Sequence, residues 1–395
     1  MIKKSAKIFR DHSPKFKGKI LYIANILTHH QIFNSLLIKK MAKRGWDVVV
    51  ISAKDTKLTI KESSSIKFLN WNISRTGSNP VNEIRSFAGL CRIIAREKPD
   101  VIHNFTIKAN IYGTFAGKLF SRAKIINTVN GLGYTFIETS IWSWFKRTII
   151  KIIWLSALNL STISLFLNKD DRKIFKKHLL LSRTDIIPGL GVDINLFNKA
   201  NLDHIALKKL NKEIQKKKNQ LIITTVGRLI KQKGIIEFWQ ASQKIIAEFP
   251  NVLFIVVGMV DGHNPSRISP AGLDAMKGTN FIFLNDRNDV KEILSISDIF
   301  VLASYREGSP QVIIEAMAMG LPIVTTNVAG CRERVKNNVN GLIVPVKNAN
   351  SLVGAIRTLV LNKERRKKMG ETSFKMASEF YNSNFLTEKV IQHYY

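Results

Sequence analysis

Short runs of β-branched and other apolar residues recur along the chain, each followed by a longer stretch whose apolar positions return at helical spacing. KILYIAN at 19–25 precedes a helical pattern near 34–44, and WDVVVIS at 46–52 follows it. IKFLNW, a helix near 81–97 and DVIHNF come next, then a helix near 109–121 and KIINTVN. An apolar helix near 141–158 and the run TISLFLN close this series. Buried runs alternating with helices predict parallel sheets covered by helices.

The pattern breaks after DIIPGLGVDINLF, where a Lys-rich polar segment, Lys199 to Asn219, separates a second series. That series runs through LIITTVGR, NVLFIVVG, NFIFLN, DIFVLAS and LPIVTT, with helices between. The expectation is an α/β protein of two doubly wound, Rossmann-like units that face each other across a central cleft. Their limits are set at 1–195 and 196–375, with a last helix in 376–395 packing back on the first unit. Open α/β sheets bind ligands at the carboxyl ends of their strands, which places the site in the cleft.

Composition adds charge to this picture. The 395 residues include 61 Lys and Arg against 29 Asp and Glu, a formal charge of +32. Residues 1–195 carry +21 of it. Such an excess fits nucleic acid, an anionic membrane face or phosphorylated small molecules, and a plain bias toward Lys, Asn and Ile also produces it. Cys91 and Cys331 are the only cysteines, so neither a disulfide framework nor a zinc site is expected, and a reducing compartment fits. The basic N-terminus lacks the apolar core of a signal peptide, and no uninterrupted run of ~18 apolar residues reads as a spanning helix.

Candidate chemistry concentrates in the second series. In TTVGRLIKQKG the strand ends at Val226, Gly227 permits a tight turn, and Arg228 and Lys233 flank the loop before the next helix. Two cations beside unsatisfied helix amides suit a diphosphate, while a solvated basic loop is the plain alternative. In REGSPQVIIEAMAMG, Glu307 sits in a turn and Glu315 in the helix after it. Ser309 is expected to cap that helix and Pro310 to occupy its first position. Amides around Gly308 and Ser309 favour an anion, and carboxylates beside an anion site suit the hydroxyls of a nucleotide sugar. The competing reading pairs one glutamate with Arg306 or a nearby lysine.

With seven residues between its glutamates, EGSPQVIIE resembles the motif of the retaining glycosyltransferases of family four. GRLIKQKG upstream, and GLPIVTTNVAGCRE and NGLIVP downstream, extend the resemblance, which runs from about residue 18 over nearly the whole chain. It implies the GT-B architecture. It also implies that Arg228 and Lys233 hold the donor diphosphate, that Glu307 engages the transferred sugar and that Glu315 engages the ribose. SRTGSNPVNEI, VIHNFTIKANIYGTFAGKL, VNGLGYTF and VVGMVDGHNPSRIS are similar to a bacterial subgroup that glycosylates undecaprenyl-diphosphate-linked bacillosamine and builds capsule and O-antigen units. The implied donor is a UDP-N-acetylhexosamine, as co-substrate with no further cofactor and no metal. The implied acceptor is a polyprenyl-diphosphate-linked sugar.

Many members of the family carry a histidine where this chain has Asn130, which puts a proton-transferring role there in doubt. His103 ends another strand and is read either as a cleft residue or as an ordinary hydrogen-bonded histidine. Gly131 and Gly133 allow backbone to approach a ligand or simply make a turn. NKDDRK at 168–173 offers an acidic pair, for which capping by Asp170 or Asp171 is the expected role.

The stretch 141–158 interleaves Trp142, Trp144, Phe145 and Trp154 with Lys146, Arg147 and Lys151, as suits an anionic lipid interface, while a helix that simply faces a core is the plain alternative. The expectation is a cytoplasmic enzyme at the inner face of a bacterial plasma membrane, without a nucleic-acid partner. A UDP-N-acetylglucosamine 2-epimerase, which shares two facing domains, is the alternative enzyme, and a basic nucleic-acid-binding protein the nonenzymatic one.

Overall fold

A computed structural model of the chain describes residues 18–27, 30, 35–54, 63–74, 79–131, 141–180, 182–260, 264 and 266–395, without the side chains of 141–147. Gly133 and the side chains of Trp142, Trp144, Phe145, Lys146 and Arg147 lie outside the described residues.

The first series forms seven strands: β1 (Lys19–Ile23), β2 (Asp47–Ser52), β3 (Ile66–Asn70), β4 (Val101–Asn104), β5 (Lys124–Val129), β6 (Ile163–Phe166) and β7 (Arg183–Ile186). They pair in the order β3-β2-β1-β4-β5-β6-β7, and every pairing is parallel. The second series forms β8 (Leu221–Val226), β9 (Val252–Val257), β10 (Phe281–Leu284), β11 (Ile299–Leu302), β12 (Ile323–Thr326) and β13 (Gly341–Val344). Their order is β10-β9-β8-β11-β12-β13, again all parallel.

Strand order reverses between β1 and β4 in one sheet and between β8 and β11 in the other. In a doubly wound sheet such reversals open crevices at the carboxyl ends of the strands. Strands such as VLFIVV at β9 are buried along their whole length, because helices cover both faces of each sheet. The polar segment between the two series contains a helix, His204–Glu213, capped by Asp203 and seated through Leu210 in the second core.

The chain returns to its first half at the end. Helix Lys363–Phe380 packs on helix Gln311–Ala318 of the second unit, while helix Ser383–Ile391 packs on helix Ser35–Lys43 of the first. Val390, Ile391 and Tyr394 join the core beneath β1 and β4, and Glu388 pairs with Lys40 and Arg44. At the crossing, Val192 N donates to Tyr381 O at 2.8 Å and Ser383 N to Val192 O at 2.9 Å. The two connections between the units are thus stitched together by backbone hydrogen bonds.

Trp154 departs from its expected place at a lipid interface. It is fully buried, edge-to-face with Phe175 at 4.9 Å, in a cluster with Ile111, Val129 and Phe166. Helix Ile141–Leu160 packs on helix Ile107–Phe120, and that contact draws the indole inward. The same helix leaves Ile149, Ile152 and Ile153 exposed beside Lys151.

Candidate active site at the cleft

Two loops leave the β8/β11 crevice and close on each other. Gly227 N donates to Val257 O at 2.9 Å, and a Cβ on Gly258 would lie 1.9 Å from Gly227 O, so only glycine fits beneath this turn. Lys231–Lys233 make a single 3-10 turn, ended by Gly234 at φ +69°, where a Cβ would lie 2.1 Å from Ala303 O. Tyr305 N donates to Gln232 O at 2.9 Å. This tight approach carries Lys233 to Glu307, with Nζ to Oε1 at 2.5 Å, and Ser304 Oγ donates to the same oxygen at 2.7 Å. Arg228 is exposed at the carboxyl end of β8. The pairing of a glutamate with a nearby lysine is therefore realised, and it involves both residues that the family resemblance assigns to the donor.

The turn after Glu307 is held from both sides of the cleft. Gly330 N donates to Glu307 O at 3.0 Å, and Asn168 Nδ2, from the loop after β6, donates to Gly308 O at 2.9 Å. Gly131 follows β5 with φ +102° and lies against Gly308, whose own added Cβ would stand 3.0 Å from Asn130 O. The backbone amides of Gly308 and Ser309 have no hydrogen-bond partner among the described residues. Two amides free among the described residues, on the turn whose Glu307 pairs with Lys233, are groups of the kind that bind anions elsewhere.

Ser309 does not cap the following helix. That helix is Gln311–Ala318, its N-cap is Pro310, and no side chain caps it. The Ser309 hydroxyl is engaged elsewhere, accepting from Arg334 Nη2 at 2.9 Å and donating to Pro188 O at 3.4 Å. Arg334 is buried, reaches Leu167 O and Pro188 O with the same nitrogen, and stacks over Tyr381 at 4.9 Å. Nor does Asp170 or Asp171 cap its helix. Asn168 does, with Oδ1 accepting from Asp171 N at 2.7 Å, because the asparagine precedes the first helical residue, Lys169. Asp170 instead pairs with Arg332 across the cleft.

Glu315 lies on helix Gln311–Ala318, partly accessible as a residue, while burial of its carboxyl group pushes the pKa up to about 7 against an opposing hydrogen bond from Gln311. Gln311 also donates to Gly191 O at 2.8 Å, tying this helix to the connection between the units. His103 does not reach the cleft. It is buried, with Nδ1 2.7 Å from Tyr394 Oη and Nε2 2.7 Å from Thr128 Oγ1, and stacks on Phe105 at 4.0 Å. The returning C-terminus occupies the space that a strand-end histidine would otherwise open onto. Asn130 is exposed at the cleft, with Nδ2 donating to Phe105 O at 2.6 Å.

The cleft thus gathers Gly227, Arg228, Lys233, Glu307, Gly308 and Ser309 from one side and Asn130 and Gly131 from the other. Asn168, Asp171, Gly330 and Arg334 complete it, and sequence reasoning did not single them out as site residues. Gly330 lay inside the stretch GLPIVTTNVAGCRE, and Asn168 and Asp171 inside NKDDRK, which was read as a helix cap; Arg334 carried no signal. Among the described residues no group of three or more His, Cys, Asp or Glu side chains is placed to hold a metal ion.

Known proteins with this arrangement agree with one another. The profile of glycosyl transferases group 1 matches residues 208–376, and that of glycosyl transferase 4-like proteins matches residues 19–164. The chain is 30% identical to a UDP-Gal:α-D-GlcNAc-diphosphoundecaprenol α-1,3-galactosyltransferase of Escherichia coli over 70% of each chain. It is 27% identical to an N,N'-diacetylbacillosaminyl-diphospho-undecaprenol α-1,3-N-acetylgalactosaminyltransferase of Campylobacter jejuni, over 92% of this chain and 94% of the relative. Its fold matches a sucrose-phosphate synthase from Thermosynechococcus elongatus with a TM-score of 0.79 at 18% identity, over 96% and 98% of the two chains. It matches HepE of Anabaena in complex with UDP with a TM-score of 0.76 at 17% identity, over 95% and 99%. Transfer, rather than epimerisation, is the activity of such relatives. The chain belongs to the group 1, family four glycosyltransferases and is a hexosyltransferase of GT-B architecture.

Proposed function

We propose that the enzyme moves a sugar, an N-acetylhexosamine in our reading, from a UDP-sugar to a polyprenyl-diphosphate-linked saccharide with retention at the anomeric carbon. The observation that carries this is the convergence of Lys233, Glu307 and the free amides of Gly308 and Ser309 at the β8/β11 crevice, beside exposed Arg228. Diphosphate would draw Lys233 toward itself and leave Glu307 to accept a hydroxyl of the transferred hexose, and Glu315 would accept from the ribose.

As the bond between C1 and the diphosphate oxygen breaks, negative charge grows on UDP. Arg228, Lys233 and the turn amides would stabilise it. The acceptor hydroxyl forms the new bond to C1 on the face that UDP leaves, and its proton passes to a diphosphate oxygen. The UDP-sugar is a co-substrate here, and no further cofactor is required by this route.

The donor and acceptor classes follow those in the names of the Escherichia coli and Campylobacter jejuni relatives. A lipid-anchored acceptor brings the enzyme to a membrane surface. No described helix is long and apolar enough to cross one. Exposed Ile149, Ile152 and Ile153 beside Lys151, on a half of the chain that carries +21, support peripheral contact with the anionic inner face of the plasma membrane. Calorimetric titration with UDP and a panel of UDP-hexoses and UDP-N-acetylhexosamines, followed by transfer assays on polyprenyl-diphosphate sugars, tests the reading. Binding of UDP without transfer to any such acceptor counts against the acceptor class, and absence of UDP binding counts against the donor.

A further inference from the structure

We infer that Asn168 is a positioning residue for transfer: from the first sheet it holds the Gly308 peptide, and so fixes the direction of the turn amides that meet the donor. The inference rests on the donor-site reading above.

Asn168 is fully buried, and its Oδ1 and both hydrogens of its Nδ2 are engaged. Its Oδ1 accepts from Asp171 N at 2.7 Å, which fixes the amide orientation, because a backbone N–H can only donate. Both hydrogens of Nδ2 are then committed, one to Asp171 Oδ2 at 2.8 Å and one to Gly308 O at 2.9 Å. Asp171 is itself buried, and burial raises its pKa while Asn168 and Arg306 oppose the shift. The pair of side chains is therefore a rigid strut. It stands on the loop after β6 and ends on a carbonyl of the opposite unit.

What that carbonyl does follows from peptide geometry. In a trans peptide the C=O and the next N–H point in opposite directions. Holding Gly308 O thus sets the direction of Ser309 N–H, just as the bond from Gly330 N to Glu307 O at 3.0 Å sets that of Gly308 N–H. These are the two amides without partners among the described residues. One is aimed by a contact within the second unit. The other is aimed by a contact from the opposite unit, so its alignment depends on how the two units face each other.

Asn168→Asp is the test, because aspartate caps a helix as well as asparagine does but cannot donate to Gly308 O or to Asp171. UDP affinity is measured by calorimetry. UDP release from UDP-N-acetylgalactosamine is measured in water alone and with undecaprenyl-diphosphate-linked GlcNAc. We expect kcat to fall roughly 10- to 100-fold, the scale of a misplaced catalytic group, with UDP affinity held within about threefold by Arg228 and Lys233. Urea unfolding of Asn168→Asp is run alongside, and a midpoint close to the parent's shows that the retained cap to Asp171 N keeps the variant folded when its kcat is read. An unchanged kcat in Asn168→Asp overturns the inference, as does a parallel loss of UDP affinity and kcat. A parent enzyme that binds no UDP overturns the donor-site reading first, and this inference with it.

Discussion

Lys233 Nζ and Glu307 Oε1 lie 2.5 Å apart at the mouth of the β8/β11 crevice, with Ser304 Oγ on the same carboxylate oxygen. Each residue holds the other in place. Under the proposed function a diphosphate would displace the carboxylate from the ammonium and release it toward the sugar.

Loss of either partner should therefore have a different signature. Lys233→Ala removes a cation from the leaving diphosphate, and kcat should fall by about 100- to 1,000-fold, with weaker UDP binding. Glu307→Gln keeps a hydroxyl acceptor without charge, and should lower kcat while UDP affinity stays close to that of the parent. Steady-state kinetics alongside calorimetry separate the two. Equal loss of UDP affinity in both variants would contradict the division of labour.

Glu315 gives the site a pH dependence. Its carboxyl is raised to about 7 from an ordinary 4.5 by burial. The folded enzyme holds this proton more tightly than the unfolded chain, so the stability it contributes is full below about 4.5 and is lost as pH rises through about 7. Binding runs the other way, since the ionised form is the better acceptor for ribose hydroxyls. UDP affinity should rise between about pH 6 and 8 in the parent, around the raised value of about 7, and flatten in Glu315→Gln. A parent profile as flat as the variant's would remove Glu315 from the nucleotide site.

Gly330 should tolerate no side chain. A Cβ there would lie 2.6 Å from Gly308 O and 2.8 Å from Glu307 O, against the turn that carries the free amides. Gly330→Ala is expected to push that turn across the cleft and to lower kcat by about 100-fold, at a stability cost of about 1–3 kcal/mol. Kinetics and urea unfolding check both numbers.

Arg334 should matter more for stability than for chemistry. Its buried guanidinium donates to Leu167 O, Pro188 O and Ser309 Oγ, which belong to both units. Arg334→Met leaves those acceptors short of a donor, and should cost about 2–4 kcal/mol on denaturant unfolding. Full stability in this variant would show that the acceptors find other partners.

Most strands of both sheets were readable in the sequence because they are largely apolar runs that end where a polar or glycine-rich loop begins, as LIITTVGR and DIFVLAS do, whereas the edge strands β7 (RTDI) and β13 (GLIV) were not, being short and, in β7, polar. Lys233 and Glu307 could be singled out because each lies in a loop that leaves the carboxyl end of such a run, where open sheets place ligands, and Glu315 by its spacing from Glu307 in the following helix. Asn168 was not, because its decisive partner, Gly308, is 140 residues away and no local pattern encodes that contact. His103 misled for a related reason. It ends an apolar strand as a site residue would, but the returning C-terminus places Tyr394 over it and seals it into the core. Trp154 shows the same limit, since an aromatic and basic helix reads alike whether its rings meet lipid or a neighbouring helix, and here Phe175 claims the indole. Ser309 and Pro310 had the composition of a helix start, yet Arg334 recruits the serine hydroxyl and the helix begins without a side-chain cap.

The central claim is that the donor diphosphate is held at the β8/β11 crevice by Arg228, Lys233 and the amides of Gly308 and Ser309. A crystal structure of the enzyme with UDP tests it most directly. The account predicts phosphate oxygens within hydrogen-bonding distance of Lys233 Nζ and the Arg228 guanidinium, Glu307 released from Lys233, and the ribose hydroxyls on Glu315. UDP bound away from this crevice, with the Lys233–Glu307 pair intact, would contradict it.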